Sequence, residues 1–173
     1  MHSNQFTLEQ LNQMSQGEFT KALGEIWEET PAIAQQAWHS KPFDDVDSLS
    51  QAMVAVVDSM NEAEQLALIK AHPDLCSKAK MAEASVQEQA GIGLDRLSKK
   101  EYERFQSLNQ DYKDKFDFPF IVAVKYHTKE SILQAFETRL KNSQEQEKQQ
   151  ALTEISKIAR LRLESLVNLD LDS

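Results

Sequence analysis

Residues 152–167 have the sequence LTEISKIARLRLESLV, in which apolar side chains recur every three or four positions. On a helical wheel at 100° per residue, four apolar side chains fall within about 80° of one another. They are Ile155, Ala159, Leu163 and Leu166. This pattern predicts a long last helix that packs one face against the rest of the chain.

The remainder of the chain is also typical of helices. It has only four Gly and four Pro in 173 residues and is rich in Gln, Glu, Lys, Ala and Leu, which favour helix formation. Capping-box spacing and isolated cap residues mark the expected helix starts. They are Thr7, Ser15, Thr30 before Pro31, Asp47 or Ser48, Ser98 and Thr128. We therefore predict an all-α fold, with residues 1–173 forming a single compact domain of about eight helices.

Charge and composition limit the possible partners. The chain has 19 Lys and Arg against 28 Asp and Glu, a formal net charge of −9, and no basic stripe. Nucleic acids and anionic membranes bind clustered Lys and Arg, so we expect neither as a partner. A small anionic substrate remains compatible, because one local Arg or Lys can bind it.

The lack of recognisable targeting signals and the single cysteine favour a cytoplasmic location. Residues 1–10 lack the basic and apolar regions of a signal peptide, and the chain does not end in Ser-Lys-Leu. No apolar run approaches the roughly 18 residues of a membrane span. Cys76 is the only cysteine, which excludes an intrachain disulfide and a thiolate metal cage.

Residues 71–94 contain the two candidate acid–base side chains. Pro73 must end a helix, which places His72 at a helix C-terminus, where carbonyl dipoles favour a protonated imidazole. Glu88 follows Ser85 with capping-box spacing, so both His72 and Glu88 could instead be purely structural groups at helix ends. The four histidines lack metal-ligand spacing, and we predict no metal site.

Two later segments could complete a site. Arg162 lies on the apolar face of the last helix, whereas Arg160 lies about 100° from its centre. A guanidinium on a core face is costly unless it is paired or binds a ligand, so Arg162 is the better candidate for anion binding, unless its side chain extends to solvent. Residues 116–124, FDFPFIVAV, form the one continuous apolar run, which we interpret as an extended segment followed by a buried helical turn.

Six motifs occur in a fixed order along about residues 7–167. They are AHPDL (71–75), SVQEQAG (85–91), LN with Tyr112 (108–112), KFDFPFI (115–121), RLKN (139–142) and EISKIARLRL (154–163). Together they resemble the 2-oxo-4-hydroxy-4-carboxy-5-ureidoimidazoline (OHCU) decarboxylases of the urate-to-allantoin pathway. Two positions depart from that family, which usually has Gly where Asp117 stands and commonly Arg where Lys125 stands.

The resemblance implies a cofactor-free, all-helical homodimer that decarboxylates OHCU to (S)-allantoin. It implies that His72 is the acid/base residue, with Glu88 beside it. The substrate-binding residues that it implies are Pro73, Ser85, Val86, Gln87, Glu88, Gln89, Phe120, Ile121, Val122, Ala123, Val124 and Arg162. Two alternatives stay open: a non-catalytic helical interaction module, and a related enzyme acting on another ureido or imidazoline acid.

Overall fold

The structure, a computed structural model, describes residues 6–24, 26–27, 30–72, 94 and 97–167. Within these ranges the chain has eight α-helices and no β-strand, and none of the helices is long and apolar enough to cross a bilayer. The helices are α1 Leu8–Gln13, α2 Gln16–Leu23, α3 Ala32–Ala37, α4 Val46–Ser59, α5 Glu62–Ala71, α6 Lys99–Phe116, α7 Lys129–Arg139 and α8 Gln144–Leu166. The prediction of an all-α fold is confirmed.

Most helix starts follow the predicted local chemistry. The side chains of four predicted cap residues each accept a hydrogen bond from a backbone N–H three residues later: Thr7, Ser15, Ser98 and Thr128. Two cap predictions are wrong. The N-cap of α3 is Pro31 and not Thr30, and the N-cap of α4 is Asp45 and not Asp47 or Ser48. The Asp45 carboxylate accepts the Ser48 N–H at 2.7 Å, and the Ser48 hydroxyl accepts the Asp45 N–H at 3.3 Å.

The described residues fall into two compact units. The first contains those of Met1–Leu68 and Ser156–Ser173, and the second those of Ile69–Ile155. In the first unit, α3 packs against both α2 and α4. The Phe19 and Phe43 rings stack with their centroids 5.9 Å apart, and the indole N–H of Trp27 donates to the Met53 sulfur at 3.3 Å. The single-domain assignment stays a prediction.

The second unit has an aromatic core centred on Tyr112 of α6. Four phenylalanine rings have their centroids within 6.5 Å of the Tyr112 ring: Phe116, Phe118, Phe120 and Phe136. Phe120 also stacks on Phe136 of α7, with 3.8 Å between centroids. Offset and edge-to-face aromatic contacts stabilise a core beyond their buried area. They therefore hold the extended segment that follows α6 against α6 and α7.

Asp117, one of the departures from the family pattern, lies at the C-terminus of α6 in a left-handed conformation. Its φ is 64° and its ψ is 26°, and its N–H donates to the Lys113 carbonyl at 2.8 Å. This is the position at which glycine commonly ends a helix, because glycine has no Cβ to oppose a positive φ. Lys70 lies 3.7 Å from the almost fully exposed Asp117 carboxylate, and such surface pairs contribute little.

We expect Asp117→Gly to raise the free energy of unfolding by about 0.5 kcal/mol, because relief of the left-handed strain exceeds the added entropy of the unfolded chain. Urea denaturation of both proteins measures the difference. Asp117→Ala is the matched control, since it removes the same carboxylate but keeps the Cβ. An alanine variant as stable as the glycine variant would contradict the backbone explanation.

Candidate active site

His72 lies where the sequence predicts it, directly after the last residue of α5. Its N–H donates to the Ile69 carbonyl, three residues earlier, at 3.2 Å, so its backbone is bonded to the last turn of α5. The residue is only 7% exposed. A buried imidazole at a helix end has a restricted orientation, as a group that exchanges protons with a bound substrate requires.

The segment 118–124 belongs to the same unit as His72, and each of its seven residues is buried. It is irregular up to Ala123, and a single 3-10 turn then spans Val124–Tyr126. The carbonyls of Ala123 and Val124 accept the N–H groups of Tyr126 and His127 in that turn. The predicted buried helical turn is only partly correct, because Val124 is buried whereas Lys125 and Tyr126 are exposed.

Two buried charged side chains hold the backbone of this segment. Arg139 Nη1 donates to the Ile121 carbonyl at 2.7 Å, and the Ala123 N–H donates to Glu154 Oε1 at 2.9 Å. Gln150 Nε2 donates to the other oxygen of Glu154 at 2.8 Å. Hydrogen bonds to charged groups are shorter and stronger than neutral ones, so the backbone between Ile121 and Ala123 is firmly fixed.

Arg139 is itself held by Glu147, which has no exposed surface. The Glu147 carboxylate accepts hydrogen bonds from Arg139 Nε at 2.8 Å, from the Tyr112 hydroxyl at 2.5 Å and from Asn142 Nδ2 at 2.7 Å. Burial, together with the hydrogen bond to Glu147, raises the pKa of the Tyr112 phenol well above its usual range. The hydroxyl therefore remains a hydrogen-bond donor to Glu147 throughout the neutral pH range.

Arg162 and Arg160 differ as the helical wheel predicts. Arg162 is 7% exposed, and its Nη1 donates to the Ile26 carbonyl at 3.3 Å, so its side chain does not extend to solvent. Arg160 lies at the surface, where it pairs with Asp47 and Glu164, both at 2.8 Å. The hydrogen bond that Arg160 donates to the Asp47 carboxylate is the main cause that raises the pKa of Arg160. Arg162 remains the better candidate for binding an anion inside the protein.

The structure describes some of the predicted site residues and not others. His72 and the Phe120–Val124 segment belong to the second unit, and Arg162 belongs to the first. Six predicted residues lie outside the described part of the chain: Pro73, Ser85, Val86, Gln87, Glu88 and Gln89. Their assignment to the site stays a prediction.

The sequence analysis missed the contribution of Arg139, Glu147 and Glu154. Glu147 and Glu154 are seven residues apart on α8, so they project from nearly the same side of the helix. Ala151, which lies between them on that side, is fully buried. The sequence signal was therefore a pair of glutamates seven residues apart with an alanine between them on the same side of the helix. This spacing indicates that both carboxylates face the core.

Comparison with known proteins agrees with the motifs. Residues 12–164 match the sequence profile of the family described as OHCU decarboxylase. The chain is 46% identical over 160 residues to the 2-oxo-4-hydroxy-4-carboxy-5-ureidoimidazoline decarboxylase of Halalkalicoccus jeotgali, covering 92% of this chain and 91% of the relative. It is 42% identical over 160 residues to the protein of the same name from Haloferax volcanii, covering 92% and 95%.

A solved structure is similar over nearly the whole chain. The crystal structure of an (S)-allantoin synthase superposes with a TM-score of 0.77 at 32% sequence identity. The match covers 94% of this chain, which spans only 54% of the length of that synthase chain. With the profile match and the two relatives of similar length, the chain belongs to the OHCU decarboxylase family.

Proposed function

We propose that this protein decarboxylates OHCU to (S)-allantoin in urate degradation, with His72 as the acid/base residue. Membership of the family supports the reaction. The observation that supports the assignment within the chain is the burial of His72, whose backbone is bonded to the end of α5. A helical interaction module without catalysis has no comparable support.

The reaction needs proton transfer and charge stabilisation. The bond between the ring carbon and the carboxylate breaks, CO₂ leaves, and its electron pair remains in the ring C=N and carbonyl system. The hydroxyl on the carbon that has lost CO₂ gives up its proton and becomes a ring carbonyl of allantoin, and a proton has to reach the neighbouring ureido-bearing carbon from one side to give a single enantiomer. Because the substrate ring itself holds the electron pair, the reaction requires neither a metal ion nor an organic cofactor.

The proposed roles follow from the chemistry of each group. An imidazole with a reference pKa of about 6.5 can exchange a proton with the substrate hydroxyl or the developing carbanion near neutral pH. Glu88 orients that imidazole or carries a second proton. Pro73 and the Ser85, Val86, Gln87 and Gln89 positions enclose the substrate, and the Phe120–Val124 backbone binds its ureido and ring amide groups.

Arg162 supplies the anion-binding group in this proposal, through the planar fork of its guanidinium. We expect Arg162→Lys to raise KM for OHCU by about tenfold with a smaller effect on kcat, because a lysine ammonium cannot form the paired hydrogen bonds. Steady-state kinetics measure both constants. Arg160→Lys, a surface change on the same helix, is the matched control.

A variant with unchanged KM and a much lower melting temperature would indicate that Arg162 has only a structural role. In that case its bond to the Ile26 carbonyl would account for its burial.

The decarboxylation is tested by generating OHCU in place from urate with urate oxidase and 5-hydroxyisourate hydrolase. Circular dichroism then follows the appearance of optically active allantoin. We expect the purified protein to accelerate the reaction and to give the (S)-enantiomer, whereas the same mixture without it gives racemic product. Racemic allantoin at an unchanged rate would overturn the proposal, and turnover only of another ureido acid would favour a related enzyme.

The proposal also covers the location, the assembly state and the cofactor requirement of the enzyme. A cytoplasmic homodimer that acts without a cofactor is consistent with the composition and with the family. Light scattering coupled to size-exclusion chromatography measures the assembly state, and dialysis against a chelator before the assay tests the metal requirement. A monomeric, fully active protein would remove the dimer from the proposal.

A further inference from the structure

Each of the two peptide groups that flank the Val122 α-carbon forms a hydrogen bond with a charged side chain. One bond is to a guanidinium and the other is to a carboxylate. In the first, the Ile121 carbonyl accepts a hydrogen bond from Arg139 at 2.7 Å. In the second, the Ala123 N–H donates to the Glu154 carboxylate at 2.9 Å. Both charged side chains are buried. We refer to Arg139 and Glu154 together as the backbone clamp.

The clamp determines where the polar groups of Val122 point. The only cis peptide bond among the described residues precedes Pro42, so both peptide groups at Val122 are trans. The C=O and N–H of a trans peptide point in opposite directions. The Val122 N–H therefore points away from Arg139, and the Val122 carbonyl points away from Glu154.

These two groups of Val122 are unusual for a buried residue. Val122 is 5% exposed, yet within the described part of the chain neither its N–H nor its carbonyl has a hydrogen-bond partner. Buried backbone groups in folded proteins are nearly always paired, and each exception calls for a reason. A bound molecule that offers one acceptor and one donor would satisfy both groups.

The charges of the clamp also strengthen the hydrogen bonds that Val122 can make. A carbonyl that accepts from a guanidinium makes the N–H of the same peptide a better donor, because hydrogen-bonded groups polarise one another. An N–H that donates to a carboxylate likewise makes its carbonyl a better acceptor. Both effects act on the Val122 N–H and carbonyl, which have no partner among the described residues.

We propose that Arg139 and Glu154 are positioning residues, which orient and polarise the Val122 N–H and carbonyl to bind the ureido group of the substrate. A ureido group has a carbonyl oxygen next to N–H donors, the complement of what Val122 presents. This inference rests on the proposed function, since it names the groups that select a ureido acid in that same site. Neither clamp residue touches the substrate.

The clamp is held in place by its own partners. Arg139 is bonded to Glu147 at 2.8 Å, and its guanidinium lies 4.3 Å from the centre of the Phe120 ring. Glu154 is bonded to Gln150 one helical turn earlier on α8. Because Arg139 also supports the aromatic core, Glu154 is the better residue to replace.

Glu154→Leu removes the acceptor for the Ala123 N–H, and Glu154→Gln keeps an oxygen that can accept it. We expect Glu154→Leu to lower kcat/KM for OHCU by about a hundredfold, the scale of loss that follows a small displacement of a positioned group. Most of the change should be in KM, because the Val122 groups bind substrate and transition state alike. Glu154→Gln should show a clearly smaller loss, because it keeps the acceptor that orients the Ala123 peptide and removes only the charge that polarises it.

Ile132→Ala is the matched control, because it opens a cavity at a fully buried position in the same unit and removes no hydrogen-bonding group. It should lower the melting temperature and leave KM unchanged at a temperature where every variant is folded. A wild-type KM in Glu154→Leu would overturn the inference, as would an equal loss in Glu154→Gln. A wild-type protein without turnover would overturn the proposed function as well, so the two failures are distinguishable.

Discussion

We expect His72→Asn to lower kcat for the decarboxylation of OHCU by about 10²- to 10⁴-fold, the usual contribution of a general acid–base residue. Asparagine is close to histidine in size and keeps a polar group at the buried end of α5, but it does not titrate. The product formed in its presence should be largely racemic allantoin, because the uncatalysed reaction then supplies most of the turnover. Initial rates and circular dichroism of the product measure the two effects.

His127→Asn is the matched control for this experiment. The His127 ring is partly buried in the same unit and lies 2.9 Å from the Ser131 hydroxyl, and it has no role in the proposed site. We expect this variant to keep its rate and stereospecificity. A His72→Asn protein that is folded and still produces (S)-allantoin at the wild-type rate would remove His72 from the mechanism.

Glu147→Leu should lower the free energy of unfolding by about 3–5 kcal/mol, the usual cost of removing one member of a buried ion pair. The leucine has a similar volume, so the loss comes mainly from the polar groups that Glu147 now satisfies. Arg139 would keep a buried charge without its carboxylate, and Tyr112 would lose the acceptor of its hydroxyl. Chemical denaturation with urea measures the change.

The matched control is Glu137→Leu, which removes a carboxylate 3.1 Å from Arg104. Both side chains of that pair are more than half exposed, and such surface pairs contribute about 0–1 kcal/mol. If Glu147→Leu cost no more than Glu137→Leu, the buried network would not be a major source of stability. A normal KM in the Glu147→Leu protein would further show that Arg139 holds its position without Glu147.

The fold could be predicted because its signals are local. Periodic apolar residues and capping boxes act over one or two helical turns, and they identified the starts of α1, α2, α6 and α7. The cap of α4 was missed because Asp45 and Ser48 bond to each other reciprocally, so that either residue could be taken for the cap. The predicted caps, Asp47 and Ser48, lie two and three residues after the observed one.

The site was predictable where one element determined the position of a residue. Pro73 identified the end of the helix before His72, and the apolar face of α8 distinguished Arg162 from Arg160. The clamp could not be predicted in this way, because its bonds join residues 18 and 31 positions apart in the chain. Such bonds depend on how α7 and α8 pack against the irregular segment, which no periodic pattern specifies.

The two tryptophans of the chain, Trp27 and Trp38, both belong to the first unit, and all three tyrosines belong to the second. Fluorescence excited at wavelengths that only indole absorbs therefore reports on the first unit alone. The near-ultraviolet circular dichroism of Tyr112, fixed among four phenylalanine rings, offers a signal from the second. Followed together during denaturation, these two natural chromophores distinguish loss of the clamp from loss of the Arg162 environment without any added label.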